Sequence, residues 1–330
     1  MHFHDPIYGP AEITDQVLLE LLATEAMQRL GQVLQHGITG LIGLTSPVSR
    51  LDHSVGVMLL VARMGGGLAE QIAALLHDVS HTAFSHVMDY VVDDHDGQSY
   101  HDKMKQAYVA KTAVPDILSR YGYDWQWLLD EANFPLLEQP SPRLCADRLD
   151  YFLRDSRDLG LASQADVDRV LAHLTVATTD EGPRLAVTDR DVARWLGDTF
   201  MAADDKSWAN FREVGLYELT AQAIKRALEV DLITTADFWS TDARLWQTLR
   251  AGQDETLQEW LSLVTVDTKF EWDEANPTFW VSTKLRAIDP DVVVAKGAIR
   301  PLSQLDPDFA RKRDDYLSRK AGAWPMRVKR

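Results

Sequence analysis

At 330 residues, with 45% hydrophobic and 25% charged positions, the chain has the composition of a folded globular protein, which excludes global disorder. A single cysteine, Cys145, excludes an intramolecular disulfide, and no run approaches the ~20 consecutive apolar residues of a membrane span. The net charge of −16 discourages non-specific binding to nucleic acid, although residues 311–330 gather eight of the 34 basic residues against two acids. The lone cysteine, and an N-terminus without the basic and apolar regions of a signal peptide, point to a cytoplasmic protein with no membrane partner.

Taken in chain order, helical periodicity dominates the first two thirds. Residues 16–36 form an amphipathic stretch that Gly37 is expected to end. Asp52 is the expected N-cap of the helix "HSVGVMLLVARM", which stops at Gly65-Gly66-Gly67. That glycine run reads as a helix–helix turn, since a phosphate-binding loop would need a preceding strand and a Gly-Lys-Ser/Thr ending. The next helix, about 68–79, carries His77 and Asp78 at its C-terminal end. Another begins near Ala83, and others cover 98–111, 114–121 and 143–159. Two β-branched runs around a Gly-Pro turn predict a surface hairpin over 173–188. Helices resume over 190–204 and 209–229, and 278–299 reads as strands with "DPD" as a turn. No internal repeat or low-complexity segment interrupts the pattern. The fold class is therefore mostly α, with a core over 1–230 and a C-terminal α/β appendage with a basic tail over 231–330. The plain reading of the tail is a solvated helix that offsets the acidic body. A contact for phosphates or a partner subunit is the sharper alternative.

The stretch "ALLHDVSHTAFSH" concentrates chemistry. His77, Asp78, His81 and His86 follow the apolar run Ile72-Ala73-Ala74-Leu75-Leu76, where imidazoles and carboxylates are costly unless paired or ligating. Adjacent residues on a helix diverge by ~100°, so His77 and Asp78 can reach one ion only where the helix ends. Mixed nitrogen and oxygen donors suit a hard or borderline divalent cation. Further donors must come from other helices, and His53 and Asp147 are the candidates. Asp147, Tyr151 and Asp155 are spaced i, i+4, i+8 and share one helical face. Each residue alone has a plain explanation: a hydrogen-bonded core histidine, a cap, or a surface ion pair. Cys145 reads as a small buried apolar residue, and Leu144, Leu149 and Phe152 as core. The four donors in order, each on a helix, are less easily explained separately.

The constellation H…HD…D resembles the HD-domain metal-dependent phosphohydrolases, and more closely their deoxynucleoside triphosphate triphosphohydrolase branch. "DPIYGPAEI" is similar to that branch's DPI-H-G signature, with Tyr8 where histidine is usual. "MQRLGQVLQHG", "SRLDHSVGV", "LLHDVSHTAFSHVMD" and "DRLDYFLRDSRDLG" are similar to four further motifs in the same order, so the resemblance is dense over about 5–160. It implies an HD-domain helical bundle in which His53, His77, Asp78 and Asp147 hold a divalent metal. The metal would be Fe, Mn, Zn or Ni, with Mg or Mn on the substrate phosphates. His81, His86, Asp89 and His101 would be catalytic, with His86 protonating the leaving oxygen and Asp89 or a neighbour setting its state. The plain alternative for His101 is a helix-surface histidine. Arg50 would pair with a phosphate, Gln35 would read the sugar 3′-hydroxyl, and Arg148 would stand for the usual lysine. Tyr151 and Asp155 would border the sugar. Ser80 and Thr82 replace glycines that flank the family's second loop histidine, which puts the shape of that turn in question.

The resemblance implies a nucleotide substrate, hydrolysed to deoxynucleoside and triphosphate, and a homo-oligomer, a dimer or higher. The alternatives are a nucleotidase or phosphodiesterase on the same site, or a non-catalytic nucleotide-binding regulator. No G-Y-P tripeptide is present, which weakens the cyclic-dinucleotide branch. Vertebrate members of the triphosphohydrolase branch hold an activating guanine nucleotide with an aspartate and an arginine. Ala23 and Gly31 stand at those positions here, so activity without a nucleotide activator is expected. Nucleic acid is not a favoured partner.

Overall fold

Two hydrophobic clusters organise the chain, which is described over residues 1–329 in a computed structural model. The first unites Gln16–Leu22, Glu25–Leu30, Arg50–Arg63 and Leu68–Leu76 with Ala146–Asp158, Gln164–His173 and Arg190–Ala203. The second is built around the long helix Phe211–Glu229, with Ile38, Ala83–Val91, Phe238 and Leu245 packed on it. Residues beyond 230 enter both: Ala287, Ile288 and Phe309 the first, Val281, Trp324 and Met326 the second. The chain crosses from one cluster to the other between Val79 and Ala83, and that crossing is the histidine-rich loop. The architecture is mostly α, as expected.

Local departures from the sequence reading have local causes. The 16–36 stretch is two helices, Gln16–Leu22 and Glu25–Leu30, because Thr24 turns extended and its hydroxyl accepts from the Met27 amide as an N-cap. Gly37 opens a helix and does not end one. Its φ is 51°, and a Cβ there would lie 2.2 Å from the Phe84 carbonyl oxygen, so only glycine fits. Ser49, not Asp52, caps Arg50–Arg63, and Asp52 closes the reciprocal half of a capping box. The helix expected from Ala83 begins only at Val87, because Phe84 and Ser85 have positive φ. Ser80 and Thr82 do not, so this turn tolerates the loss of the family's glycines.

The 174–187 hairpin is not free-standing. Leu174–Thr179 and Gly182–Val187 join Asp291–Val293 and Ile299–Pro301 in a four-stranded sheet, with one parallel pairing at Val187 and Val292. Of the strand region expected at 278–299, Phe279–Val281 belongs to a different sheet, on the edge beside Trp324–Lys329. Residues 282–290 cross between the two sheets without regular structure. A π-helical turn, Asp204–Trp208, follows Arg190–Ala203. In the basic tail, Lys312 and Lys320 each lie 2.9 Å from body carboxylates, those of Asp198 and Asp205. No described helix is long and apolar enough to cross a membrane.

Candidate metal centre and active site

Three helix ends deliver the donor atoms. His53 lies in the first turn of Arg50–Arg63, His77 caps Leu68–Leu76, and Asp147 lies in the first turn of Ala146–Asp158. An acidic side chain there is favoured by the helix dipole. His77 Nδ1 lies 2.7 Å from the Ala74 carbonyl oxygen and His53 Nδ1 lies 2.8 Å from Asp150 Oδ2. Both partners only accept, so each Nδ1 carries its proton and each Nε2 is turned inward. The two Nε2 atoms are 3.2 Å apart, and Asp147 Oδ1 is 3.0 Å from His53 Nε2 and 3.6 Å from His77 Nε2. Asp78 completes the rim, 3.5 Å from His77 Nε2 and 3.8 Å from His53 Nε2.

This cage favours positive charge at its centre. Burial opposes charging of the rings, yet Asp78 and Asp147 raise His77 to about 10, and hydrogen bonds to Asp147 and Asp150 raise His53. Asp147 lies well below the usual carboxylate range, because its contacts with His53 and His77 outweigh burial. Two imidazole nitrogens and a carboxylate oxygen within 4.8 Å of one another are a donor set that a borderline divalent cation fits.

Behind the donors lies a support that the sequence reading missed. Asp150, fully buried, receives His53 Nδ1, the Tyr8 hydroxyl at 2.8 Å and Arg154 Nε at 2.8 Å, and Arg154 also donates to Asp5 at 2.8 Å. Tyr8, the departure from the N-terminal signature, thus holds the group that orients His53. Gly56 lets the helices close over this network, since a Cβ there would fall 1.9 Å from Arg154 Nη2. The signal was available: Asp150 and Arg154 are spaced i, i+4 on the helix of Asp147, on a different face from Tyr151 and Asp155.

A second cluster adjoins the first. The His81 and His101 rings stack at 3.8 Å between centroids, and His86 meets His81 edge-on at 5.2 Å. His101 therefore belongs to the cavity and not to the helix surface. His81 Nε2 lies 3.3 Å from Asp78 Oδ1, and His86 Nδ1 lies 3.0 Å from Asp89 Oδ2. Burial, with Arg50 next, holds His81 and His86 well below their ordinary values, and burial takes His101 to about 4, so all three are neutral. Burial also raises Asp89 to about 6, against the Tyr100 amide that donates to it.

All of these donors and histidines line one cavity of about 580 Å³, together with Gln35, Arg50, Arg148, Tyr151 and Asp155. Arg50 Nη1 lies 2.7 Å from Asp78 Oδ2, and Arg50 Nε donates to Ser85, so its fork is engaged within the frame of the site. Arg148 Nη2 is likewise engaged, 2.6 Å from Glu138. The Oε1 atom of Gln35 is buried with no described hydrogen-bond partner. The same cavity has an aromatic wall in which Trp208 meets Tyr151 at 4.9 Å and Phe200 at 5.0 Å. The π turn aims Trp208 so that its indole donates to Asp155 at 2.6 Å. His36, also missed, lies 3.0 Å from Asp155 Oδ1. Lys284 and Arg286 reach the cavity from the 282–290 crossing. Nothing in their sequence context distinguishes them.

A helical bundle that converges two histidines and a carboxylate on one buried point, under a polar cavity, defines a metal-dependent hydrolase scaffold. The HD-domain family profile matches residues 50–155, the span from Arg50 to Asp155. The chain is 36% identical over 317 residues to the metal-dependent phosphohydrolase cns2 of Cordyceps militaris, covering 95% of this chain and 91% of that one. The protein belongs to the HD-domain metal-dependent phosphohydrolases. The deoxynucleoside triphosphate triphosphohydrolase SAMHD1 of Gallus gallus is 23% identical over 240 residues, and the matched region spans 39% of that relative. A solved phosphohydrolase structure from Bacteroides thetaiotaomicron shares the fold, with a TM-score of 0.68 at 16% identity over 100% of both chains.

Proposed function

We propose that the protein hydrolyses deoxynucleoside triphosphates at the α-phosphorus, giving deoxynucleoside and triphosphate. One observation carries this reading. Tyr151 stands one helical turn after Asp147, its ring 6.3 Å from that of His53, and with Trp208 and Gln35 it lines the cavity that holds the metal donors, offering aromatic faces and an amide to a nucleoside. A nucleoside against those faces would present its own ester phosphorus to the donors. The similarity to a triphosphohydrolase over part of its length supports the same substrate class.

His53, His77, Asp78 and Asp147 would hold the metal, which when bound supplies Lewis-acid polarisation of a phosphoryl oxygen and lowers the pKa of water. Arg50 positions Asp78, and Asp150 positions His53. Neutral His86 sits where a polyanion would arrive, and the added negative charge raises its proton affinity. It would then hand its Nε2 proton to the leaving 5′-oxygen as water adds to phosphorus and the P–O5′ bond breaks. Asp89, on Nδ1, would stabilise the charged ring. His81 and His101 would contact phosphoryl oxygens. Gln35 Oε1 would accept from the sugar 3′-hydroxyl, and Tyr151 beneath the sugar disfavours a 2′-hydroxyl.

A second reading, a nucleoside monophosphatase, is favoured by the flank of the cavity where three carboxylates, Asp102, Glu131 and Glu138, outnumber the two cations they pair with, Lys105 and Arg148, and would oppose a polyphosphate tail. Product analysis separates the two. Incubation of the metal-loaded protein with dNTPs should yield nucleoside and tripolyphosphate in equal amounts. Orthophosphate released from monophosphates alone would establish the second reading and refute the first.

A further inference from the structure

Four cationic side chains line the cavity: Arg50, Arg148, Lys284 and Arg286. Two are neutralised in place, Arg50 by Asp78 at 2.7 Å and Arg148 by Glu138 at 2.6 Å. Among the described residues, no carboxylate oxygen lies within 4.0 Å of the Lys284 ammonium or the Arg286 guanidinium. Their hydrogen bonds go to neutral acceptors. Lys284 Nζ donates to the Gly97 carbonyl at 3.4 Å, Arg286 Nη1 to the Lys284 carbonyl at 3.2 Å, and Arg286 Nη2 to Gln98 Oε1.

The backbone that carries them is firmly held. Thr283 Oγ1 accepts from the Tyr90 hydroxyl at 3.0 Å, the Arg286 amide donates to Asp204 at 3.1 Å, and the Asp289 amide donates to the Pro142 carbonyl at 2.8 Å. Ala287 and Ile288 are buried in the first cluster. The held backbone thus carries two like charges two residues apart at the wall of the cavity, with no carboxylate in ion-pair contact with either and Asp147 and Glu138 acting on Lys284 only from farther away. Desolvation, with the charges of Arg286 and Arg148, holds the Lys284 ammonium below its ordinary value. Both side chains line the same cavity as His86 and the metal donors.

We infer that Lys284 and Arg286 form an anion clamp that binds substrate phosphate oxygens lying beyond the reacting phosphorus. The inference rests on the nucleotide-phosphohydrolase reading and gives its polyphosphate tail a place to bind. A guanidinium fork takes two oxygens and an ammonium a third, a match for a di- or triphosphate chain and a poor one for a single ester phosphate. The clamp touches neither nucleoside nor the phosphorus attacked, so it acts on binding.

The test is titration calorimetry of inorganic tripolyphosphate, and separately of orthophosphate, into the full-length metal-loaded protein. Lys284→Ala and Arg286→Ala should each weaken tripolyphosphate about tenfold, the value of one charge-assisted hydrogen bond, and leave orthophosphate within threefold (about 0.7 kcal/mol). Lys284→Arg and Arg286→Lys should recover most of the loss. If Arg286→Ala does not fold, Lys284→Ala decides, because its ammonium holds only one carbonyl. Unchanged tripolyphosphate binding in a folded alanine variant, or no binding by the wild type, overturns the clamp. With dNTP turnover, KM should rise in the alanine variants while kcat stays within about threefold, since only uniform binding is removed. A wild type that releases orthophosphate from monophosphates alone would refute the proposed function, and the calorimetry would still decide the clamp.

Discussion

Asp150→Asn isolates the support beneath the metal centre without touching a donor atom. The substitution keeps the shape of a fully buried side chain and removes its charge. In the wild type, burial disfavours the ionised form, but Arg154 and His53 hold Asp150 below the usual carboxylate range, so the charge is present. In the variant, His53 Nδ1 loses an ionic acceptor at 2.8 Å, and the amide can present its NH2 to the ring. Supports of this kind are worth about 10–100-fold in metal affinity. Arg154 also loses a partner but keeps Asp5 at 2.8 Å. The full cost of orphaning a buried charge is about 3–5 kcal/mol, so roughly half of it, about 2 kcal/mol, is expected in stability.

Two companion variants sharpen the expectation. Tyr8→Phe removes a single hydrogen bond to the same carboxylate and should cost about 1.5 kcal/mol, with a smaller loss of metal affinity. Gly56→Ala would place a Cβ 1.9 Å from Arg154 Nη2 and 2.2 Å from Asp150 Oδ1, and should lower metal affinity by displacing the network. The assay is competition for metal against a chelator of known affinity, beside thermal unfolding of the metal-free chain. Metal affinity within twofold of wild type in a folded Asp150→Asn protein would refute the orienting role.

His77→Ala and Asp147→Ala should each lose bound metal and activity while remaining folded, and stoichiometric metal in either would remove that residue from the donor set. Ala23 and Gly31, both exposed, offer a guanine nucleotide neither acceptor nor cation. Rate against substrate should therefore be unchanged by GTP, and sedimentation insensitive to nucleotide; a lag relieved by GTP would refute this. Burial opposes a charge on His36, but Asp155 and Glu213 outweigh it and raise the ring to about 9. A proton held more tightly in the folded state stabilises it fully below pH ~6.5, and that stability is lost as pH rises through about 9. Wild-type stability should fall by up to about 3 kcal/mol across this window relative to His36→Gln, and parallel pH slopes in the two proteins would sink the assignment.

The parts of the site legible in sequence are those whose chemistry is unusual for their position. His77 and Asp78 after five apolar residues had to be satisfied by something, and the i, i+4, i+8 spacing of Asp147, Tyr151 and Asp155 placed three polar groups on one face. Helices over 100–109, 114–120, 146–158 and 211–229 lie within two or three residues of the sequence reading, because periodicity over several turns averages out single exceptions. Breaks shorter than a turn were not visible. Thr24 splits a helix by one hydroxyl, and Phe84 and Ser85 delay another by adopting positive φ, which no local pattern announces in a phenylalanine.

The same distinction separates the two kinds of cation in the cavity. Arg50 and Arg148 lie in helices beside the donors, so their presence could be read from the motifs, and the structure engages both with carboxylates of the frame. Lys284 and Arg286 lie more than 130 positions from Asp147 in a segment without helical or strand periodicity. Their place depends on two sheets that share no strand, with 282–290 as the tie between them. Such a tie has its hydrogen bonds set by what it crosses: Tyr90, Asp204 and Pro142 come from three different parts of the bundle. Contacts made only after the bundle has closed leave no periodic trace in sequence. The metal cage is specified by neighbouring helices, whereas the charge that faces the rest of a substrate is delivered by the last third of the chain.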